Sequence, residues 1–349
     1  MTTARRADPE LTVGRYLTEI WLPGVRAVLR PGTYSSYAMN VRTHMVPGLG
    51  SLRLSDLDPP TINAFYGRLL DGGPRPPLAR STIRRLHATL RRALRDAVRW
   101  GYLGVNPAGD ADPPWVPHRE MPAWDIVQLR TFLAGARSDP RYELWLFYAL
   151  TGTRRGEALG LRWSDVDLEA RRVSIRRAHL MVDHHLWVGE TKTVRGRRTI
   201  AIDGHLTAAL AELRRRETDR GRGRNQDLVF VRPDGAPWNP EQVTRWFARL
   251  ANELHLPRLT LHGLRHSHAT CALAAGVDAK IISVRLGHAH MGVTADLYQH
   301  ALPGLDRDAA ERMARLIVPD PEHQPDGASK GTDHGTSSDP DTTESAEDW

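Results

Sequence analysis

Residues 106–117 read N-P-A-G-D-A-D-P-P-W-V-P and divide the chain in two. Proline lacks an N–H and holds φ fixed, so a stretch with Pro107, Pro113, Pro114 and Pro117 continues neither a helix nor a central strand. It reads as an extended linker. Before it, apolar residues recur at helical three-to-four spacing. After it, helical patterns are broken by short alternating runs between residues 171 and 202. With 349 residues, each side is long enough to bury a core of its own. The expectation is a helical domain with its linker over 9–118 and a second, mixed domain over 119–318. Residues 1–8 read as a disordered leader. Residues 319–349 are rich in Pro, Asp, Ser, Thr and Gly and read as an acidic disordered tail, with too little apolar surface to offset ordering entropy.

In the first part a helix begins at about Leu11, with Tyr16, Leu17, Ile20 and Trp21 on one face, and Pro31-Gly32 breaks it. Thr33 is a candidate N-cap for a second helix. Residues 47–57 read as a loop, and a third helix is expected over Thr61–Leu70. Ser81 is the candidate cap of the clearest helix, which runs to about Trp100 with Ile83, Leu86, Leu90, Leu94 and Val98 inward. Its other faces carry Arg84, Arg85, Arg91, Arg92, Arg95 and Arg99 against Asp96 alone. Arg91, Arg95 and Arg99 stand at i, i+4, i+8 and repel one another by a few tenths of a kcal/mol per pair. Contact with a DNA backbone explains that arrangement; a bland solvated face is the alternative. In the second part, helices are expected over about Trp124–Gly135, Pro140–Leu150, Leu206–Arg216 and Glu241–Leu254. Strands are expected at R-R-V-S-I-R-R, around Leu180–Val188, at R-R-T-I-A-I and at L-V-F-V, and a final amphipathic helix over Leu305–Ile317.

The formal charge is +7. Because 319–349 holds nine acidic residues and one Lys, residues 1–318 carry +15, a balance suited to a polyanionic partner such as nucleic acid. Lysine is rare: Lys192, Lys280 and Lys330 are the only three. Cys271 is the only cysteine, which excludes an intrachain disulfide and a Cys-based zinc site; it reads as a small core residue. No run of 18 apolar residues and no signal-peptide pattern occurs, so the reading is a soluble cytoplasmic protein.

The chemistry concentrates in Thr260–His300. T-L-H-G-L-R-H-S-H-A-T is followed by L-G-H-A-H-M-G-V-T-A-D-L-Y-Q-H, which presents His262, Arg265, His288 and Tyr298 in that order. A phosphodiester is an anion that gains charge when attacked. An arginine fork and imidazole donors stabilise that state, and a tyrosine hydroxyl can act as nucleophile. The cluster holds no group of carboxylates, so it does not read as a Mg²⁺ site. His262, His266 and His268 raise a metal site as a second possibility, without a carboxylate or Cys to support it.

This stretch closely resembles the C-terminal signature of the tyrosine recombinases, the phage-integrase family: His-x-x-Arg-His, then Leu-Gly-His, then Tyr about ten residues on. T-G-T-R-R-G-E resembles the family's first box and assigns Arg154 as the first active-site arginine with Glu157 as its neighbour; Thr153 stands where Leu or Met is usual. G-E-T-K-T resembles the β-hairpin that carries the catalytic lysine, which assigns Lys192. The N-terminal part is similar, more loosely, to the family's helical core-binding domain. The fold so implied is mainly α with a small antiparallel β-sheet (α+β), a helical core-binding domain joined to a catalytic domain.

The resemblance implies that Arg154, Arg265 and His288 hold the scissile phosphate, His262 accepts or relays the tyrosine proton, Lys192 protonates the leaving 5′-oxygen, Tyr298 attacks, and Glu157 holds Arg154 or a neighbour in place. It implies no metal and no nucleotide cofactor. The expected partner is double-stranded DNA with specific recombination sites, bound by a homo-tetramer. A type IB-like topoisomerase shares the chemistry, but the length and the helix after Tyr298 argue against it. A non-catalytic DNA-binding protein on the same fold is the other rival, against which stands the complete residue set. Because the core-binding pattern starts by about Leu11, either a small arm-binding domain is absent or the start lies further upstream.

Overall fold

The computed structural model describes residues 8–72, 76–117, 121–182, 185–190 and 197–287. Lys192, His288 and Tyr298 lie outside the described residues, as do the expected helix Leu305–Ile317, the tail, and the leader apart from Asp8.

Four helical segments build the first hydrophobic core. Thr12 caps α1 (13–25) by accepting the Arg15 N–H. Within α1, Tyr16–Trp21 forms a wider π turn. Tyr16, Leu17 and Trp21 are fully buried there. The second helix, α2 (31–49), starts at Pro31 with Arg30 as N-cap residue, not at a Thr33 cap, because proline's fixed φ suits the first helical position. It also runs on through Val46–Leu49, into what reads as a loop by composition. Gly14 and Gly50 let these two helices touch: a Cβ on Gly14 would stand 2.9 Å from the Gly50 carbonyl oxygen. The third helix, α3 (Pro59–Asp71), is capped by Asp58.

The long helix α4 (Arg80–Arg99) buries Ile83, Leu86, Leu90 and Leu94, as its apolar spacing predicts. Ser81 does not cap it; Ala79 occupies the N-cap position. Asp96, lone acid of that helix, is 2% exposed. It accepts Trp21 Nε1 at 3.0 Å and pairs with Arg92 Nε at 3.0 Å and Arg99 Nη2 at 3.1 Å. Arg91, Arg95 and Arg99 are all exposed, and Arg99 also pairs with Asp96. The proline-rich stretch is less extended than expected. Pro107–Gly109 forms a 3₁₀ turn, and Ala108 and Ala111 are buried in this core.

The second core gathers Trp124, Phe132, Trp145, Phe147 and Phe247, with Phe132 and Phe247 rings 5.2 Å apart. Its first helices are α5 (Ile126–Gly135), opened by an Asp125/Gln128 capping box, and α6 (Tyr142–Thr151). After the short helix α7 (Arg155–Leu159) come β1 (Val166–Asp167), β2 (Arg172–Ile175), β3 (Arg177–Val182), β4 (His185–Glu190) and β5 (Arg198–Ala201). The region expected to be one strand near Leu180–Val188 is a hairpin, β3 with β4, in which Leu180 pairs with Trp187. Strand β5 pairs with β2, Val173 opposite Ile200, in an antiparallel sheet of order β1-β2-β5. Among the described residues β4 and β5 therefore belong to different sheets and do not flank a shared hairpin. L-V-F-V makes only isolated bridges, at Leu228 and Val231. Helices α8 (Gly204–Asp219), α9 (Pro240–Glu253), α10 (Leu261–Ala274) and α11 (Ala279–Leu286) complete the described part; Leu273 and Leu286 pack α10 on α11. No described helix is long and apolar enough to cross a membrane.

Removing the Asp96 carboxylate strands the buried Trp21 N–H. Asp96→Ala is expected to cost about 1–3 kcal/mol in urea unfolding, with Asp96→Asn milder because its amide oxygen still accepts. The Trp21 and Arg92 hydrogen bonds overcome burial and hold the Asp96 carboxyl below its ordinary value. The stability it contributes is therefore present above the ordinary carboxylate range and lost as pH falls through the lower, folded value.

Candidate active site

The site begins at the end of α6. Gly152 takes a left-handed conformation (φ 60°), and a Cβ there would lie 2.5 Å from Leu286 Cδ2 and 2.7 Å from His268 Cδ2. Glycine alone allows the chain to turn here and come back as α7. Thr153 is buried and its hydroxyl meets that of Thr151 at 3.0 Å, so the smaller, polar residue in place of Leu or Met leaves no unpaired group. Arg154 is the N-cap residue of α7. Glu157 stands at the third helical position, where its Oε2 accepts the Arg154 backbone N–H at 2.9 Å and its Oε1 accepts Arg154 Nη1 at 2.7 Å. The carboxylate also complements the positive end of the helix.

Glu157 is 3% exposed and has a second cation. Arg198, first residue of β5, sends Nη2 to Oε2 at 2.9 Å and Nη1 to Oε1 at 3.3 Å. Burial alone would raise the Glu157 carboxyl; the hydrogen bonds and charge of Arg198, then the charge of Arg154, outweigh it and hold the group below its ordinary value.

A helix ends with carbonyls that have no intrahelical donor. At the end of α11, three successive carbonyls each take an arginine from a different element. Arg198 Nε donates to Arg285 O at 2.6 Å, Arg265 Nη2 to Leu286 O at 2.7 Å, and Arg154 Nη2 to Gly287 O at 3.0 Å. Arg265 Nη1 also donates to Gly152 O at 2.9 Å. Arg285 in turn reaches Ala201 O at 2.8 Å and Leu150 O at 3.1 Å. Arg154 and Arg265, which are 111 residues apart in the chain, thus meet at adjacent carbonyls.

Three guanidinium groups against one carboxylate leave an excess of two positive charges. Burial, then the neighbouring charge of Arg154, pushes the Arg265 guanidinium down to about 9, still protonated at neutral pH. His262 lies on the first turn of α10, a helix capped by Thr260, and keeps an exposed edge. Partial burial of its ring, then the charges of Arg265 and Arg154, lower its pKa. Neutral imidazole is consequently the form at pH 7, able to accept a proton. His262 meets His266 edge-on, ring centroids 5.0 Å apart.

Four sequence-predicted residues, Arg154, Glu157, His262 and Arg265, are therefore gathered in one place; Arg91, Arg95 and Arg99 lie apart from them, on the exposed face of α4. Among the described residues no group of three or more His, Cys, Asp or Glu side chains gathers to hold a metal. Arg198 and Arg285 were missed. The signal for Arg198 was present: a strand's side chains alternate, so Arg198 shares a face with the buried Ile200 and Ile202. A charge on the apolar face of a strand calls for a buried partner.

Burial pushes His179, His266 and His268 each down to about 4. His268 Nδ1 donates to Ala149 O at 2.9 Å, behind Gly152. These rings fold neutral and are protonated more readily when unfolded. Their contribution is present above about 6.5 and is lost as pH falls toward 4, at up to ~1.4 kcal/mol per pH unit per ring. Urea midpoints measured across that window should drop steeply, and less so in His268→Asn.

Comparison with known proteins bears on the family of the chain. The family model described as "Phage integrase family" matches residues 124–304, and that for "Phage integrase, N-terminal SAM-like domain" matches residues 15–70. The chain is 25% identical to a XerC-like tyrosine recombinase of Caldanaerobacter subterraneus subsp. tengcongensis, covering 88% of this chain and 84% of that protein. It is 27% identical to the integrase of Mycobacterium phage D29, over 89% of this chain and 80% of that one. In fold it is similar to the Tn1549 transposon integrase bound to transposon right end DNA (TM-score 0.72, 21% identity, 87% of this chain and 100% of that one). It is also similar to a lambda integrase tetramer bound to a Holliday junction (TM-score 0.63, 18% identity, 81% and 79%). A match over more than half the length, on a chain that assembles the signature arginines with Glu157 and His262, places this protein in the phage integrase family, the tyrosine recombinases, as a site-specific DNA recombinase.

Proposed function

We propose that Arg154 and Arg265 grip the two non-bridging oxygens of a scissile phosphate, and that the chain cuts and rejoins double-stranded DNA at specific sites through a 3′-phosphotyrosine link. The observation that supports this best is the meeting of the two guanidinium groups at Leu286 O and Gly287 O, with a net excess of two positive charges. A phosphodiester carries one negative charge and its pentacoordinate state two, so the pocket complements the state of highest energy. Each such donor contributes ~10²–10³ in rate.

Tyr298 is the nucleophile in this reading. A free phenol has a pKa near 10, so about one molecule in a thousand is ionised at pH 7, and attack needs a proton acceptor. Neutral His262 takes that role. Tyr298 Oη bonds to phosphorus, the bond to O5′ breaks, Lys192 protonates O5′, and a 5′-hydroxyl leaves. His288 adds a hydrogen bond to the phosphate. A 5′-hydroxyl of a partner duplex then attacks the link and releases Tyr298. One phosphoester replaces another throughout, so no nucleotide is consumed. Synapsis of two sites by four protomers is part of the proposal, with the helical domain over 9–118 and the catalytic domain over 119–318 closing on DNA from two sides.

The test is a nicked suicide substrate followed by a denaturing gel, in excess EDTA. Wild type should give a protein–DNA adduct; Tyr298→Phe should give none while binding DNA with unchanged affinity. An adduct from the Phe variant, or full inhibition by EDTA that Mg²⁺ reverses, rejects the mechanism. Because His262 must be neutral to accept the proton, single-turnover cleavage should rise as pH passes its lowered pKa and level off at neutral pH.

On α4, Arg91, Arg95 and Arg99 contact backbone phosphates in this reading. Replacing all three with Gln should weaken binding across sequences and flatten the log–log salt dependence by up to ~3 units. An unaltered slope returns these residues to a solvated surface.

A further inference from the structure

We infer that Arg198 is a positioning residue of this active site: it joins Glu157 to the end of α11 and, through Glu157, sets the direction in which Arg154 presents its guanidinium. The inference rests on the reading of Arg154 as a phosphate-gripping residue.

The side chain of Arg198 is 5% exposed, against 42% for Arg154. Its nitrogens are directed inward, Nη1 and Nη2 to the two Glu157 oxygens and Nε to Arg285 O. Arg198 thus acts through its neighbours, whereas the half-exposed Arg154 is available to a ligand. The two cations share Oε1, at 2.7 Å from Arg154 and 3.3 Å from Arg198. A buried carboxylate held at both oxygens by a planar fork has one orientation, and the Arg154 bond inherits it. The third donor extends the device to the Arg285 carbonyl. Arg285 O is followed by the carbonyls that hold Arg265 and Arg154, and His288 is the next residue in sequence. One buried guanidinium therefore sets the relation between α7, which carries Arg154, and the helix end that Arg265 grips. Lysine cannot replace it, since a single ammonium on a flexible stem lacks the fork that reaches both carboxylate oxygens and the carbonyl together.

The experiment uses the full chain and the nicked suicide substrate, and compares Arg154→Ala, Arg198→Ala, Arg198→Lys and the Arg154→Ala/Arg198→Ala double variant. Single-turnover cleavage, DNA affinity, thermal midpoint and the pH profile of cleavage are read for each. Misplacing a phosphate donor by about 1 Å costs on the order of 10²-fold, so both Arg198 variants should cleave ~10²-fold slower with affinity changed only a few-fold. The double variant should be no slower than Arg154→Ala alone, because both changes remove the same contact.

The pH profile separates positioning from mere stability. In Arg198→Ala, burial of Glu157 is no longer opposed by its strongest partner, so the carboxyl should take up its proton at higher pH, with a smaller shift in Arg198→Lys. Cleavage should then fall off at higher pH than in wild type, and adding Glu157→Gln should remove that limb. Arg198→Lys keeps the charge and secures the reading if Arg198→Ala proves unstable. Wild-type cleavage by the Arg198 variants beside an inactive Arg154→Ala would overturn the inference alone. So would losses that multiply in the double variant with an unmoved pH profile. Full cleavage by Arg154→Ala would overturn the active-site reading, and this inference with it.

Discussion

A carboxylate removed from water keeps its charge only in cationic company, and Glu157 keeps it between Arg154 and Arg198. That pairing ties the start of α7 to β5, and Arg198 and Arg154 continue from it to the end of α11. Arg265 joins from α10. Elements drawn from more than 130 residues of chain therefore converge on one turn of helix. The carbonyls there have partial negative character and no intrahelical donors. They stabilise guanidinium groups that would otherwise repel each other, without cancelling the excess positive charge that a phosphate requires. The guanidinium groups are already oriented, so in the proposed reading little reorganisation accompanies the charge that develops on a phosphate.

The same device recurs elsewhere. Four carboxylates are buried among the described residues: Asp96, Glu157, Asp165 and Glu217. Each gathers two arginines. Asp96 takes Arg92 and Arg99, Asp165 takes Arg176 and Arg177, and Glu217 takes Arg220 and Arg222. Part of the positive excess, which reads by composition as a surface for a polyanion, is thus spent inside the fold. Arg99 illustrates the difference. Its spacing from Arg91 and Arg95 suggests one uniform stripe, and it stays exposed like them, yet it also pairs with the buried Asp96.

Much of the fold was legible because periodicity reports burial directly. Ile83, Leu86, Leu90 and Leu94 of α4, and Tyr16, Leu17 and Trp21 of α1, fall inward where spacing places them. Start signals were less reliable. Thr33 and Ser81 are good capping residues by type, but Arg30 and Ala79 occupy the N-cap positions, and at Pro31 the fixed φ suits the first helical position. Strand pairing was the least legible. A single apolar alternation near Leu180–Val188 is compatible with one strand or two, and only the β3–β4 register distinguishes them. The partner of β5 lies twenty-odd residues back in β2, a choice that local alternation does not encode.

For the site, residue identities and order were determined by the sequence itself, because phosphoryl chemistry admits few side chains and the boxes around Arg154, His262 and Arg265 are distinctive. What only the tertiary structure decided is how those residues are held. Arg198 looks in sequence like one more arginine in an arginine-rich chain, and Arg285, Leu286 and Gly287 contribute main-chain atoms common to every residue. Carbonyls leave no trace in side-chain patterns, and a guanidinium's partner depends on which distant backbone it meets. Chemistry is carried by side-chain type and so can be read along the chain. Orientation is carried by contacts between elements remote in sequence, and these exist only once the chain has folded.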